Sequence, residues 1–160
     1  NKVGYTSSGC DDVEYYVSFN LGENLNPLNK VASGGEMSRF MLAFKKILSD
    51  VDKMETMIFD EIDTGISGRA AQVVGEKLAE MARYKQLICI THLPQIAAFA
   101  DDHYYIEKNV ENKRTFTSIR NLSYQDRQEE IARLISGKII TEKTLEHSHE
   151  MIELAKKTKA

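Results

Sequence analysis

Two neighbouring glycines between a serine and a glutamate mark the first segment that could do chemistry. The segment is Ser33-Gly34-Gly35-Glu36, directly before an apolar pattern of helical spacing. Serine followed three residues later by glutamate is the capping box of a helix start. A capping box needs no glycine, whereas an anion that approaches the N–H groups of a helix N-terminus needs side chains out of its way. The segment predicts a helix start that is either simply capped or a phosphate-binding turn.

A pair of adjacent acids, Asp60 and Glu61, follows a short apolar run and is the second candidate. A single carboxylate after a buried strand is usually just the first polar residue of a loop. Two at the ligand edge of a parallel sheet suit divalent-metal and water chemistry, because one can hold Mg²⁺ while the other orients or deprotonates water. We expect Gly65 and Gly68 to give the backbone a tight path into the next helix.

The third candidate is His92, which follows Thr91 at the end of a second apolar run. A lone histidine is more often a core or surface residue than a catalytic one. Its position changes that expectation. If the two apolar runs are parallel strands, Glu61 and His92 emerge at the same edge, where an imidazole can reach a phosphate oxygen or the attacking water.

The elements that must position these groups form a strand–helix–strand unit. Residues 56–59 and 87–90 are continuous apolar runs, typical of parallel strands that are covered on both faces. Between them, residues 68–83 have the spacing of an amphipathic helix. A right-handed crossover makes the two strands parallel and brings their carboxyl ends to one edge, where open α/β sheets bind ligands. The sequence therefore predicts an α/β fold.

Other patterns predict the elements around this unit. A period-two alternation over residues 13–19 predicts a half-exposed strand, and residues 22–30 predict a polar loop. An antiparallel hairpin is expected from residues 103–107 and 115–121, with its turn at 111–113. The remaining helices are expected from Met37 onward and over residues 94–100, 124–136 and 142–157.

The composition is that of one globular domain. The chain has 160 residues, of which 42% are hydrophobic and 28% charged, and its formal net charge is −3. This charge gives no global attraction to DNA or to an anionic membrane. No apolar run approaches the roughly 18 residues of a membrane span, and no signal peptide begins the chain, so we expect a cytoplasmic protein. Cys10 and Cys89 lack the spacing of a metal or redox pair and are interpreted as packing residues.

Two further histidines, His147 and His149, lie on the last predicted helix. A zinc-protease helix requires H-E-x-x-H, and Glu153 stands where the second histidine of that pattern is needed. We therefore interpret these histidines as part of a solvent-facing helix surface.

The order of the three candidates resembles that of the ATP-binding cassette (ABC) ATPases. In that family a glycine-rich helix start is the signature loop, an apolar strand ending in Asp-Glu is the Walker B strand, and a later strand ends in the switch histidine. Three strings resemble specifically the SMC-like branch that acts in bacterial DNA repair: KVASGGEMSR at 30–39, DEIDTGISG at 60–68 and THLPQIA at 91–97. The resemblance implies an ABC-type P-loop NTPase head, whose C-terminal lobe has parallel strands, flanking helices and an antiparallel hairpin.

For the signature loop, the resemblance implies that it acts on a second head. Ser33, Gly34 and Gly35 would contact the γ-phosphate of ATP bound to that head, and Glu36 would close the loop. The segment after Walker B would be the D-loop, which communicates across the dimer; its residues here are Asp63, Thr64, Gly65, Ser67 and Gly68. Ser67 stands where transporters usually have aspartate, so the cross-dimer contact is not carried over to it.

For the other two segments, the resemblance implies direct roles in hydrolysis, with ATP and Mg²⁺ as the cofactors. Asp60 would support Mg²⁺, and Glu61 would be the general base for water. His92 would contact the γ-phosphate.

The phosphate-binding Walker A loop of such ATPases, G-x-x-x-x-G-K-[ST], does not occur in the chain. Residues 4–9 have the two glycines, but Cys10 and Asp11 follow where the pattern requires Lys and Ser or Thr. In SMC-like proteins this loop lies in an N-terminal half, joined to the C-terminal half by a long coiled coil. The resemblance implies that residues 1–160 are the C-terminal half of the head, without the Walker A half and the coiled coil. The chain alone is then expected to be inactive, and the 87–91 strand to have an unpaired edge that self-associates or takes a rearranged neighbour.

The function implied is ATP-dependent repair of DNA double-strand breaks by recombination, with ATP hydrolysis as the activity of the whole protein. The partners implied are a second head in a homodimer, the chain's own N-terminal Walker A half, DNA bound through the full-length protein, and the RecA recombinase. The location implied is the bacterial cytoplasm at the nucleoid, without a membrane partner. Two alternatives stay open: the head of another SMC-like or ABC ATPase, and a non-catalytic dimerisation module.

Overall fold

A computed structural model describes residues 2–7, 9–19, 22–31, 33–48, 53–111 and 114–159. The strands are β1 (Lys2–Thr6), β2 (Gly9–Asp11), β3 (Tyr16–Val17), β4 (Asn26–Pro27), β5 (Thr56–Phe59), β6 (Gln86–Cys89), β7 (Tyr104–Glu111) and β8 (Arg114–Asn121). The helices are α1 (Leu28–Val31), α2 (Gly34–Ile47), α3 (Gly68–Ala82), α4 (Pro94–Ala97), α5 (Tyr124–Ser136) and α6 (Glu142–Lys159).

The predicted strand–helix–strand unit is confirmed as β5–α3–β6. The two strands are parallel, and their register pairs Thr56 with Gln86 and Phe59 with Cys89. The Ile90 N–H continues the ladder by donating to the Phe59 carbonyl at 2.9 Å. Because the connection is a helical crossover, both strands end at the same edge of the sheet.

One face of this two-stranded sheet carries the main core. The buried side chains come from β5, the turn after it and the helices α2, α3 and α4: Leu42, Met57, Phe59, Ile62, Ala71, Val74, Leu78, Met81 and Ile96. Leu87 and Cys89 of β6 are partly buried against them. Successive strand residues point to opposite faces, so Met57 and Phe59 face the helices together. This packing holds the edge where both strands end.

The opposite face of the sheet is open in the described part of the chain. Ile58, Ile88 and Ile90 are 68%, 47% and 50% exposed. The expectation that both strands are covered on both faces is therefore wrong for this chain by itself. Continuous apolar runs show that both faces could be buried, but the helices of this core pack on one face only.

A second core joins α4, α5 and α6 to the far side of α3. Its buried residues are Ala79, Ala97, Ala98, Phe99, Ile131, Ile152 and Ala155. Gly75 allows the closest contact, since a Cβ there would lie 2.6 Å from the Phe99 ring. The buried Arg127 donates to the Ala98 carbonyl at 2.7 Å and so closes the carboxyl end of α4. The segment between β6 and α4, which carries His92, is thereby anchored at both ends.

The predicted hairpin and the two C-terminal helices are confirmed. β7 and β8 are antiparallel, from Tyr104 opposite Asn121 to Glu111 opposite Arg114. Residues 112–113 of the expected turn lie outside the described residues. α5 has the predicted bounds, followed by Gly137 at a φ of 76°, and α6 is two residues longer than expected.

The N-terminal region differs from the sequence prediction. The expected strand over residues 13–19 is reduced to β3, which pairs with β4 inside the expected polar loop, and α1 follows directly. Alternating apolar and polar residues indicate which face of a strand can be buried. A strand also needs a neighbouring strand to accept and donate its backbone hydrogen bonds. Here the partner is two residues long and includes Pro27, which has no N–H to donate. The two glycines of the string at 4–9 lie in strands: Gly4 in β1 and Gly9 in β2, which pair antiparallel.

Two observations concern the surroundings of the fold. Every helix within the described ranges is too short or too polar to span a lipid bilayer. Among the same residues, β6 pairs with β5 and with no second strand. The expected self-association through this edge stays a prediction.

Candidate functional site

Three turns meet at the edge where β5 and β6 end, and we call them the carboxyl-edge cluster. They are the start of α2 (residues 33–39), the turn after β5 (60–68) and the segment after β6 (90–93). The residues that the sequence singled out for chemistry are thus brought together by the parallel register of β5 and β6. The contacts among the three turns determine what each side chain can do.

The start of α2 is a complete capping box. The Ser33 hydroxyl accepts from the Glu36 N–H at 3.3 Å, and the Ser33 N–H donates to Glu36 Oε2 at 2.8 Å. The backbone N–H and hydroxyl of Ser33 hold the pKa of the Glu36 carboxyl below its ordinary value. The capping box predicted for Ser33 and Glu36 is therefore confirmed, and it does not account for the two glycines.

The two glycines allow the start of α2 to approach the turn after β5. A Cβ at Gly34 would collide with Glu61 Oε2, and a Cβ at Gly35 would lie 2.7 Å from the Thr64 carbonyl oxygen. Gly34 therefore lies directly beside the Glu61 carboxylate of its own chain. Intramolecular packing alone thus requires small residues here.

Polar side chains of α2 bind the backbone of the turn after β5. Ser38 Oγ donates to the Asp60 carbonyl at 2.8 Å. Arg39 Nη1 donates to the carbonyls of Ile62 and Thr64 at 3.1 and 2.8 Å. These hydrogen bonds fix the position of α2 relative to the segment that carries the acid pair.

The acid pair lies at the exposed surface of the cluster. Glu61 has a φ of 57°, in the left-handed region that a non-glycine residue rarely adopts, and its N–H donates to Asp60 Oδ1 at 2.9 Å. Gly65 and Gly68 also have positive φ, 75° and 51°, which confirms the tight path expected into α3. Such backbone geometry at a non-glycine residue persists only where its surroundings hold it.

Asp63 points inward, not outward. Its side chain is only 4% exposed, and its Oδ2 accepts from the Thr91 hydroxyl at 2.7 Å and the His92 N–H at 2.8 Å. The same oxygen lies 2.9 Å from His92 Nδ1. Burial raises the pKa of Asp63, but the hydrogen bonds from Thr91 and His92 outweigh it and hold the pKa below its ordinary value. The turn after β5 and the segment after β6 are joined through this carboxylate.

The rest of the predicted D-loop lies at the surface. Thr64, Gly65, Ser67 and Gly68 are exposed. Ser67 precedes α3 in extended conformation, and its side chain makes no capping hydrogen bond to the helix.

The oxygen donors of the acid pair fit a magnesium ion that a substrate completes. Mg²⁺ is usually bound through one or two carboxylates together with phosphate oxygens and water. Asp60 and Glu61 supply exposed carboxylates at the strand end. In the described part of the chain, no three His, Cys, Asp or Glu side chains are grouped closely enough to enclose a metal by themselves.

Sequence reasoning gave no role to Ser38, Arg39 or Thr91. Ser38 and Arg39 were visible only as polar residues between Met37 and Phe40 in an amphipathic helix. The carbonyls that they reach lie 22 to 25 residues further along the chain. No local pattern predicts such contacts. The two histidines of α6 are exposed: His149 Nδ1 lies 3.0 Å from the Tyr124 hydroxyl and His147 Nδ1 lies 3.6 Å from Glu150.

Comparison with known proteins finds relatives along nearly the whole chain. No protein-family model matches it. It is 49% identical over 154 residues to the DNA repair protein RecN of Halalkalibacterium halodurans, and 46% identical over 157 residues to that of Bacillus subtilis. The chain is similar to RecN. RecN of Treponema pallidum is 46% identical over 144 residues. These matches cover 96%, 98% and 90% of the chain but only 27%, 27% and 25% of the RecN proteins, so the chain spans about a quarter of their length.

A solved structure shares the fold of this RecN-like chain. It comes from work on the structural biochemistry of ATP-driven dimerization and DNA stimulated activation of SMC ATPases. The two align with a TM-score of 0.51 and 18% identity, over 74% of this chain and 70% of the other. At this identity the likeness is one of fold, and it confirms the predicted α/β fold.

The two glycines of the RecN-like chain should respond differently to alanine. Gly35→Ala places a methyl group against a backbone carbonyl, so we expect the turn after β5 to lose about 1–3 kcal/mol of local stability. Gly34→Ala meets the end of a flexible glutamate side chain and should cost less. The measurement is amide hydrogen exchange over residues 60–68 in the full-length protein. Equal effects of the two substitutions would show that the close approach of α2 is wrong.

Cys89 should be a slow nucleophile. Burial, followed by the charges of Asp63 and Asp60, raises the pKa of its thiol from 9.0 to about 12. Only the thiolate reacts, so at pH 8 we expect alkylation about a thousand-fold slower than for a thiol of ordinary pKa. Mass spectrometry after iodoacetamide treatment measures this rate, with a short cysteine peptide as the control. A rate within tenfold of the peptide would contradict the described surroundings of Cys89.

Proposed function

We propose that the chain is the C-terminal half of the ATPase head of a RecN-type protein, which couples ATP hydrolysis to the engagement of broken DNA during recombinational repair. The observation that carries this proposal is the meeting of Asp60, Glu61 and His92 at one edge of a parallel sheet, in a chain 46–49% identical to RecN proteins. The likeness of fold to an SMC ATPase supports the same reading.

The proposed reaction is transfer of the γ-phosphoryl group of ATP to water. Glu61 accepts a proton from the water while the water oxygen forms a bond to the γ-phosphorus. The bond between the γ-phosphorus and the β–γ bridging oxygen breaks, and ADP is released. The exposed carboxylate at the end of β5 suits this role, because it is open to both water and substrate. The left-handed backbone at Glu61 sets the direction from which its side chain leaves the strand.

Asp60 would hold Mg²⁺ together with phosphate oxygens of the substrate. A Mg²⁺ ion bound there would neutralise part of the negative charge on the phosphates. The protein's own contribution is to keep the Asp60 backbone in place, which the bonds from Ser38 to its carbonyl and from the Glu61 N–H to its side chain support.

His92 would contact the γ-phosphate from the neighbouring strand end. Its side chain is 75% exposed, so it is available to a ligand at the edge. Developing charge on a phosphoryl group is stabilised best by donors that are already in position before the reaction.

The start of α2 would complete the ATP site of a second head. Ser33 and Gly34 are exposed there, and helix N-termini favour negative charge. Glu36 closes the loop through the capping box, and the D-loop of Asp63, Thr64, Gly65, Ser67 and Gly68 follows the acid pair. Because Ser38 and Arg39 bind the turn that carries Asp60 and Glu61, engagement of α2 by the second head's ATP would be felt at the acid pair.

The partners of the whole protein follow from the same proposal. They are a second head in a homodimer, the N-terminal Walker A half, DNA bound through the full-length protein, and the RecA recombinase, in the bacterial cytoplasm at the nucleoid. Ile58, Ile88 and Ile90 form an open apolar face, and such surface is normally covered. This face supports the proposal that an N-terminal half packs against the chain.

Replacing the proposed base tests the mechanism. In the full-length protein, Glu61→Gln keeps the shape of the side chain but removes its ability to accept a proton. We expect ATP turnover to fall about 100-fold or more while ATP binding is kept. Glu129→Gln, on the exposed surface of α5, is the matched control and should leave turnover unchanged. A Glu61→Gln protein that keeps a tenth of the wild-type rate would exclude Glu61 as the base.

Mixing the two halves separates the ATPase from a non-catalytic dimerisation module. The 160-residue chain alone should neither bind nor hydrolyse ATP. We expect addition of a separately expressed N-terminal half to restore both, because that half would bring the Walker A loop. Nucleotide-binding titration and phosphate release measure the outcome. If binding and turnover are the same with and without the added half, the module is the better interpretation.

A further inference from the structure

One oxygen of Asp63 lies within hydrogen-bond distance of three polar groups in the segment after β6. Thr91 Oγ1, the His92 N–H and His92 Nδ1 lie 2.7, 2.8 and 2.9 Å from Asp63 Oδ2. Two of these groups belong to His92, so the carboxylate holds that residue by its backbone and by its ring at once. The Thr91 hydroxyl also accepts from the Leu93 N–H at 3.1 Å, which ties the next residue to the same group.

The two partners differ sharply in exposure. The Asp63 side chain is 4% exposed, whereas that of His92 is 75% exposed. An exposed imidazole without a tether samples several rotamers, and fixing it at the moment of reaction costs entropy. A carboxylate buried behind it removes that cost in advance, since the orientation is already present in the folded chain.

The contact also selects the proton position on the ring. An ionised carboxylate accepts hydrogen bonds and cannot donate them, so the nitrogen facing Asp63 must carry the proton. The hydrogen bonds described above keep the pKa of Asp63 below its ordinary value, and it is therefore ionised at neutral pH. With Nδ1 protonated toward Asp63, Nε2 is the nitrogen left to face a ligand.

We propose that Asp63 is a positioning residue for His92: it orients the imidazole and sets its tautomer, so that Nε2 is presented at the carboxyl-edge cluster. This differs from a role in communication across the dimer, because the carboxylate that would reach another head is buried within its own. The part of the proposal that concerns ATP turnover rests on the proposed function. The part that concerns the ring of His92 does not.

Asp63→Asn in the full-length protein tests the positioning role through turnover. In the wild type the Thr91 hydroxyl, the His92 N–H and His92 Nδ1 all face the single oxygen Oδ2. A neutral amide at this position holds the ring less firmly, because its oxygen is a weaker acceptor than a carboxylate and its NH₂ group cannot accept from Thr91 or from the His92 N–H. We expect kcat for ATP hydrolysis to fall about 10- to 100-fold, the usual cost of losing a group that orients a catalytic side chain, with KM within about twofold. The matched control is Asp126→Asn, whose carboxylate accepts from Ser123 at the start of α5 and should affect stability without changing kcat. An unchanged kcat in Asp63→Asn would overturn the positioning role.

A chemical readout tests the ring independently of ATP. Diethyl pyrocarbonate reacts with a neutral imidazole nitrogen that has a free lone pair, and mass spectrometry distinguishes the four histidines of the chain. We expect carbethoxylation of His92 at pH 7.5 to slow about twofold or more in Asp63→Asn, because a neutral amide holds the proton on Nδ1 less strongly than a carboxylate does and Nε2 then carries it more of the time. His147 and His149, both exposed on α6, should react unchanged. An unchanged rate at His92 would overturn the proposal even if turnover fell.

A third measurement needs no altered Asp63 and covers the case in which that variant does not fold. In full-length protein labelled with ¹⁵N-histidine at pH 8, the ring nitrogen shifts of His92 report its tautomer, and His92→Gln assigns the signals. The Nδ1-protonated form should predominate, and a predominant Nε2-protonated form would refute the proposal. If the wild-type protein hydrolyses no ATP, the proposed function fails, while the two ring measurements still decide the role of Asp63.

Discussion

Parallel pairing of β5 with β6 is the constraint on which the carboxyl-edge cluster depends. Each strand is four residues long, so an antiparallel arrangement would move His92 away from the acid pair by about 13 Å, the length of one strand. Parallel pairing requires a crossover, and α3 supplies it. The apolar stripe of α3 that packs on Met57 and Phe59 therefore does more than stabilise the chain, because it keeps both strand ends at one edge.

Directional hydrogen bonds then place the turns, which have little apolar surface of their own. Ser38 and Arg39 bind carbonyls in the turn after β5, and Asp63 in that turn binds the segment after β6. The start of α2 can come this close only because Gly34 and Gly35 lack side chains. The arrangement costs backbone strain at Glu61, and hydrogen bonds join the three segments to one another. Such coupling suits a site whose parts are proposed to serve two different nucleotides.

The chain has the properties of one part of a larger assembly. It spans about a quarter of the RecN proteins that it resembles, and the sheet that carries its candidate site has one open apolar face. The proposed ATP site would be built from three sources: this chain, its own N-terminal half and the signature loop of a second head. In the proposed site no single part holds all the groups that the reaction needs, so division of this kind would make hydrolysis depend on the heads being closed.

Local patterns were sufficient for β5, α3, β6, the β7–β8 hairpin and α5, because hydrophobic periodicity and glycine placement specify which residues can form each element. They were also sufficient to place Glu61 and His92 at one edge, since a helical crossover makes the two strands run in the same direction and parallel strands end at the same edge. They did not predict the shortened strand near residue 16 or the open face of the sheet, because pairing and coverage depend on partners distant in sequence. Nor did they predict that Asp63 turns inward to hold His92 or that Gly34 lies against Glu61. Contacts between residues more than 20 positions apart are decided by how the elements pack, and only the tertiary structure contains that information.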